Sequence, residues 1–127
     1  MKSGNLGRLM LAIVVAAAVC RPAGAAASEL DVAHQAWLEC VRAAIPQLDH
    51  PESTSETIAR AAMNRCADQY AEVVRVLSRS LVPSCAPDSD CTREALAKAQ
   101  SEATRIATDE VVTARIRVAG AQVLVCQ

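Results

Sequence analysis

From Ser28 onward, the residues that interrupt helices fall at five positions only: Pro46, Pro51, Pro83, Pro87 and Gly120. Three long segments are left between two short loops. No stretch alternates apolar and polar residues long enough to argue for a strand. Punctuation this sparse leaves little choice but helices, and short connections make sequential helices antiparallel neighbours. The expected fold class is therefore all-α: a small antiparallel bundle of three long helices, disulfide-stapled, with a fourth short helix if the third breaks at Gly120.

The apolar spacing supports each segment. Ser28 is followed by Glu29 and Asp31, so it is expected to cap the first helix. Leu30, Ala33, Trp37, Cys40, Val41, Ala44 and Leu48 then recur mostly at steps of three and four, and Pro46 is expected to end the helix. Ser53 and Glu56 have the spacing of a capping box for a second helix of about 25 residues running to Pro83. Its expected buried face is Ile58, Ala62, Cys66, Tyr70, Val73, Leu77 and Leu81. Asp90 is expected to cap the third helix, whose stripe is Leu96, Ala103, Ala107, Val111, Ala114, Val118, Ala121 and Val125. Glu94, Lys98, Glu102, Arg105 and Asp109 alternate in sign on its other side, as on a solvated, self-paired helix face.

The first residues have a different character. Lys2 and Arg8 precede the apolar run Leu9 to Val19, and small residues follow from Ala23 to Ala27. Residues 1–25 thus read as a cleavable signal peptide cut between Ala25 and Ala26, or alternatively before Ser28. Residues 26–127 are then a single helical domain. The apolar run is shorter than the ~20 residues a membrane span needs, so no stable span is expected after cleavage. Cys20 ends the run, but Ala17 and Val19 match poorly the Leu-like and small residues that precede a lipidated cysteine. The expected location is periplasmic or secreted.

Loss of that segment removes Lys2, Arg8 and Arg21 and leaves ten basic against fourteen acidic residues, a net charge of −4. Such a balance argues against nucleic acid as a partner, since clustered positive charge is what displaces counterions from phosphates. The core faces a shortage as well. The chain has no Phe, and Trp37 and Tyr70 are its only aromatics. Alanine and valine bury little area each, at ~25 cal/mol per Å², so cross-links are expected to help hold the fold.

Five cysteines follow the leader: Cys40, Cys66, Cys85, Cys91 and Cys126. Cys40 and Cys66 lie on the apolar stripes of two helices that fold back on one another, which predicts a disulfide between them. Cys85 and Cys91 bracket a Pro-containing loop; a structural staple is expected there rather than a redox pair, because five residues intervene and Asp88 and Asp90 stand close by. Cys126 is left over, as a free thiol or as the link of a homodimer. The layout of one cysteine on each arm of a hairpin, over residues 37 to 70, resembles that of exported bacterial helical proteins, a resemblance that implies no activity. The Leu-Thr-x-x-Gln repeat of helical periplasmic stress chaperones does not occur.

No constellation of side chains points to chemistry. His34 and Cys40 are six residues apart and fall on different helix faces, and His50 lies in a turn, so no metal site is expected. There is no haem-attachment motif, and Met63 reads as a filler of core gaps. A nucleophile elbow and a glycine-rich phosphate loop are also missing. The expectation is a protein that is not an enzyme and carries no cofactor: an interaction or structural module of the bacterial envelope with an unspecified protein partner. The alternative is a periplasmic carrier of a small apolar ligand. For the module, Val112, Ile116 and Val123 form a candidate exposed strip.

Overall fold

A computed structural model describes residues 28–125, with side chains to Gln122. Those residues form four helices: α1 (Glu29–Leu48), α2 (Ser55–Arg65), α3 (Ala67–Leu81) and α4 (Asp90–Val125). No strand occurs among them. The signal segment, its cleavage positions Ala25 and Ala26, Cys20 and Cys126 lie outside the described residues.

Local chemistry explains where each helix starts. The Ser28 hydroxyl accepts from the Asp31 backbone N–H at 3.1 Å, and the Asp31 carboxylate accepts from the Ser28 N–H at 3.1 Å. This reciprocal pair satisfies two donors that a helix start leaves open. At α2 the expected box between Ser53 and Glu56 does not form. Thr54 is the cap instead, its hydroxyl accepting from the Thr57 N–H at 3.2 Å. Ser53 is occupied by the preceding turn, its N–H bonded to the His50 carbonyl and its own carbonyl to Arg115. Asp90 likewise gives up the capping role at α4. The Ser89 hydroxyl accepts from the Thr92 N–H at 3.3 Å, and Asp90 sits one residue further in, paired with Arg93.

Two helix ends differ from expectation. Pro46 lies inside α1, which continues to Leu48. The proline removes one donor near the end of the helix, and buried Ala44 and Ile45 hold that turn in place beside it. Gly120 does not interrupt α4, which continues to Val125.

The fourth helix arises from a break at Cys66. There φ is −100° and ψ is 24°, and the Cys66 N–H is shared between the carbonyls of Ala62 and Met63 at 3.0 and 3.2 Å. The expected 25-residue helix is therefore two, with the second restarting at once through a bond from the Tyr70 N–H to the Cys66 carbonyl. No glycine or proline marks the spot. Cys66 is fully buried and joined to α1, and the two arms pack differently: α3 lies mainly on α1, α2 mainly on α4.

α1 runs antiparallel to α2 and α3, while α4 runs alongside α1 in the same direction. Arg42 of α1 grips Glu110 of α4 through two bonds at 2.9 and 2.8 Å, and Asp49 after α1 bonds Arg115. At the other end Glu29 pairs with Arg75 at 3.2 Å and Arg79 at 3.7 Å. The largest fully buried side chains are Trp37, Ile58, Val41, Val111 and Cys66. Ala59 and Ala62 of α2 and Ala107 of α4 have no exposed surface. Small side chains at a contact let helices approach closely, which is how a core without phenylalanine closes.

Arg115 ties α4 to the α1–α2 turn. Its guanidinium donates to the Asp49 carboxylate at 2.8 Å, the Ser53 carbonyl at 2.7 Å and the His50 carbonyl at 3.2 Å. Replacing it with methionine keeps most of the aliphatic stem and strands these acceptors. The expected loss is about 1.5–3 kcal/mol, as for hydrogen bonds to a charged group, checked by urea unfolding; an unchanged midpoint would show that the turn holds itself.

Candidate functional site

The structure brings four of the sequence-selected cysteines together in two pairs. Cys40 and Cys66 are bonded with a Cα–Cα separation of 5.9 Å, joining α1 to the α2–α3 break. Cys85 and Cys91 are bonded with a Cα–Cα separation of 5.5 Å, across the loop that leads into α4. This loop is closed further by the Thr92 hydroxyl donating to the Ala86 carbonyl at 2.8 Å, and Asp88 adopts a positive φ of 58°. Asp is among the few non-glycine residues that visit this region readily. Both pairs act on the fold.

The charged row on α4 is largely occupied with itself. Arg105 donates to Glu102 and to Asp109 at 2.7 Å, and Lys98 pairs with Glu94 at 3.7 Å. The hydrogen bond from Arg105 holds the Glu102 carboxyl below its usual range, and Arg42 does the same to Glu110. Arg75 lowers Glu72, and the Ser28 side chain lowers Asp31. Each depressed carboxyl favours the folded state while ionised and loses that contribution as pH falls through its folded value. Stability should therefore hold steady from pH 7 to about 5 and decline below the ordinary carboxylate range near 4. A thermal midpoint followed by circular dichroism tests this; a fall beginning between pH 7 and 6 would point to another group.

Two surface features stand apart from these pairs. The first is a cleft of about 270 Å³ between α1, α3 and α4, lined by Leu30, Trp37, Tyr70, Val73, Leu77 and Ile106 among others. Half-buried His34 and Tyr70 flank Trp37, with ring centroids 5.6 and 5.8 Å from it. Burial pushes the Tyr70 hydroxyl pKa up. The Trp37 indole Nε1–H has no hydrogen-bond partner although the residue has no exposed surface. A wider depression of about 480 Å³ along α1, bordered by Val32 and Gln35, faces no second helix among the described residues. The cleft is thus the more enclosed of the two. Sequence reasoning missed it, although Leu30, His34 and Trp37 at steps of four and three mark the α1 wall.

The second feature is the end of α4. The expected stripe is buried at Ala103, Ala107 and Val111 and half-buried at Ala114, but Val118 is 57% exposed and Ala121 is exposed as well. α1 has already ended at Leu48, and Arg115 marks the last grip of α4 on the turn beyond it. Every residue from Ile116 to Gln122 is exposed, Ile116 at 66% and Val112, one turn earlier, at 42%.

The other residues singled out from the sequence do not converge. His34 rests against Trp37, His50 lies exposed in the α1–α2 turn, and Met63 packs at the edge of the core. Among the described residues no group of three or more His, Cys, Asp or Glu side chains could hold a metal ion. No described helix is long and apolar enough to cross a membrane. No family model, curated protein or solved structure matches the chain.

Proposed function

We propose that this chain is an exported helical module that acts by protein contact rather than catalysis, and that the end of α4 is its contact surface. The observation that carries the reading is the mismatch between exposure and composition there. From Val118 to Cys126 the sequence has no charge and one polar side chain, Gln122. A helix apolar on all sides is normally covered, and contiguous exposed apolar surface marks an interaction site. The bundle leaves Ile116 to Gln122, the last residues whose side chains are described, uncovered. Export is supported by the basic and apolar leader and by two intramolecular disulfides, which persist in oxidising compartments.

The partner favoured by the spacing is a second copy. Val112, Ile116, Ala119, Val123 and Cys126 follow one another at steps of four, three, four and three, the seam of a two-stranded coiled coil. In a parallel pair Cys126 would meet its counterpart across the axis, giving the fifth cysteine after the leader a role. Ile116→Asp puts a charge into this seam at a position that is 66% exposed in the bundle. Sedimentation of the oxidised protein carrying Cys126→Ser, in which no covalent dimer forms, over micromolar to submillimolar concentration should show a dimer for this parent and at least about tenfold weaker association once Ile116→Asp is added. Parent and variant sedimenting alike as monomers would sink self-association through this surface.

A further inference from the structure

We infer that the cleft between α1, α3 and α4 is a binding site for a small, neutral, mainly apolar molecule bearing one hydrogen-bond acceptor, which Trp37 would engage through its indole N–H. This goes beyond the contact role proposed for the end of α4 and does not depend on it.

Three observations converge. The first is the orphaned donor. A buried tryptophan N–H ordinarily finds a partner, because an unmade hydrogen bond away from water is costly. Trp37 is the largest fully buried side chain, yet its Nε1–H has no partner. The second is the cleft against which Trp37 lies, walled by leucine, isoleucine, valine and alanine from three helices. A cavity of ~150 Å³ lined by apolar side chains holds benzene. On that scale about 270 Å³ suits a ligand of roughly ten non-hydrogen atoms. The third is the charge at the rim. Asp31 and Glu102 border the cleft, and both have carboxyl pKa values below the usual range, by hydrogen bonds from Ser28 and Arg105 respectively. Two ionised carboxylates disfavour an anionic ligand. Both carboxylates are already engaged, Asp31 by the Ser28 hydroxyl and Glu102 by the Arg105 guanidinium, and the remaining walls offer a cation no counter-ion. Neutral ligands remain, with a carbonyl or ether oxygen as the acceptor.

Trp37 has no exposed surface, so the ligand reaches its N–H by parting the side chains beside it. His34 and Tyr70 are half-buried and flank the ring. Side-chain rotations of this kind are fast compared with unfolding. The ligand would fill the cleft, spread His34 from Tyr70 and place its oxygen on the indole.

Trp37 is the only tryptophan of the chain, so its indole N–H is a single resolved proton signal. The oxidised protein, expressed from the full sequence, would be titrated with acetophenone and with ethylbenzene, which share shape but differ in the acceptor. Acetophenone should move the indole N–H resonance downfield in a saturable manner and bind about five- to tenfold more tightly than ethylbenzene. Ala99→Phe, at a half-buried cleft-lining position of α4, should abolish saturation while leaving the helical spectrum intact. The inference is overturned if neither probe saturates the parent protein. It is equally overturned if both bind alike without moving the indole proton. Either result comes from the parent chain alone and so does not hang on the folding of the variant.

Discussion

Replacing Cys40 and Cys66 together by alanine is expected to lower the stability of the bundle by about 3.5 kcal/mol. The two residues are 26 apart in sequence, and closing a loop of that length removes close to this much chain entropy from the unfolded state. Cys66 is fully buried, so lost sulfur packing adds to the effect. The bond ties α1 to the only interruption between α2 and α3, and that is where the hairpin changes helical partner. Domains of this size have about 5–15 kcal/mol in all, so the loss is a large share. The pair Cys85→Ala and Cys91→Ala closes a span of six residues, for which the same model gives about 2 kcal/mol. Urea unfolding of both double variants therefore has an expected order. An equal loss in the two, or none in the first, would show that the stability of the hairpin comes from packing alone.

The second large effect is expected at Trp37. Its side chain is fully buried between α1, α3 and α4, and the core has no phenylalanine to share the load. Trp37→Ala should cost about 3–5 kcal/mol through lost burial and the cavity left behind. Trp37→Phe tests a finer point. It removes the unpartnered N–H together with part of the ring, so a smaller packing loss is offset by relief of a buried donor worth about 1–3 kcal/mol. The phenylalanine variant should therefore lie within about 1.5 kcal/mol of the parent. Circular dichroism must follow both, since either change removes the only tryptophan fluorophore. A phenylalanine variant as unstable as the alanine one would mean that the N–H has a partner in solution.

Much of this architecture was legible in the residues because helical periodicity is a local signal. Ala33, Trp37, Val41 and Ala44 stand out on α1, and Ala103, Ala107 and Val111 on α4, as faces that must be buried together. The Cys40–Cys66 pairing followed from those faces, and the Cys85–Cys91 pairing from the loop that the two cysteines bracket. What the residues hid was decided at a distance. The break at Cys66 has no glycine or proline, and comes where one helical segment serves two different neighbours. Ser53 has the right spacing to cap α2 but is already bonded to His50 and Arg115. Pro46 falls where a helix can spare a donor. The stripe on α4 continues past Ala114 at the same spacing, and nothing local announces that α1 has run out beside it. The cleft was hidden for a related reason: its walls come from three helices, and the solitary indole N–H becomes an anomaly only once its surroundings are known.

We propose an exported, doubly stapled bundle that meets a second copy through the end of α4. Its most direct test is a native, non-reducing intact mass of the protein recovered from its own host. The expected species is a chain beginning at Ala26 or Ser28, lighter by the hydrogens of two internal disulfides and present as a dimer that Cys126 links covalently. A chain that keeps its first residues, or starts at Cys20 with lipid attached, would contradict export as a soluble module. A monomer with a free Cys126 at every concentration would contradict the second copy as its partner.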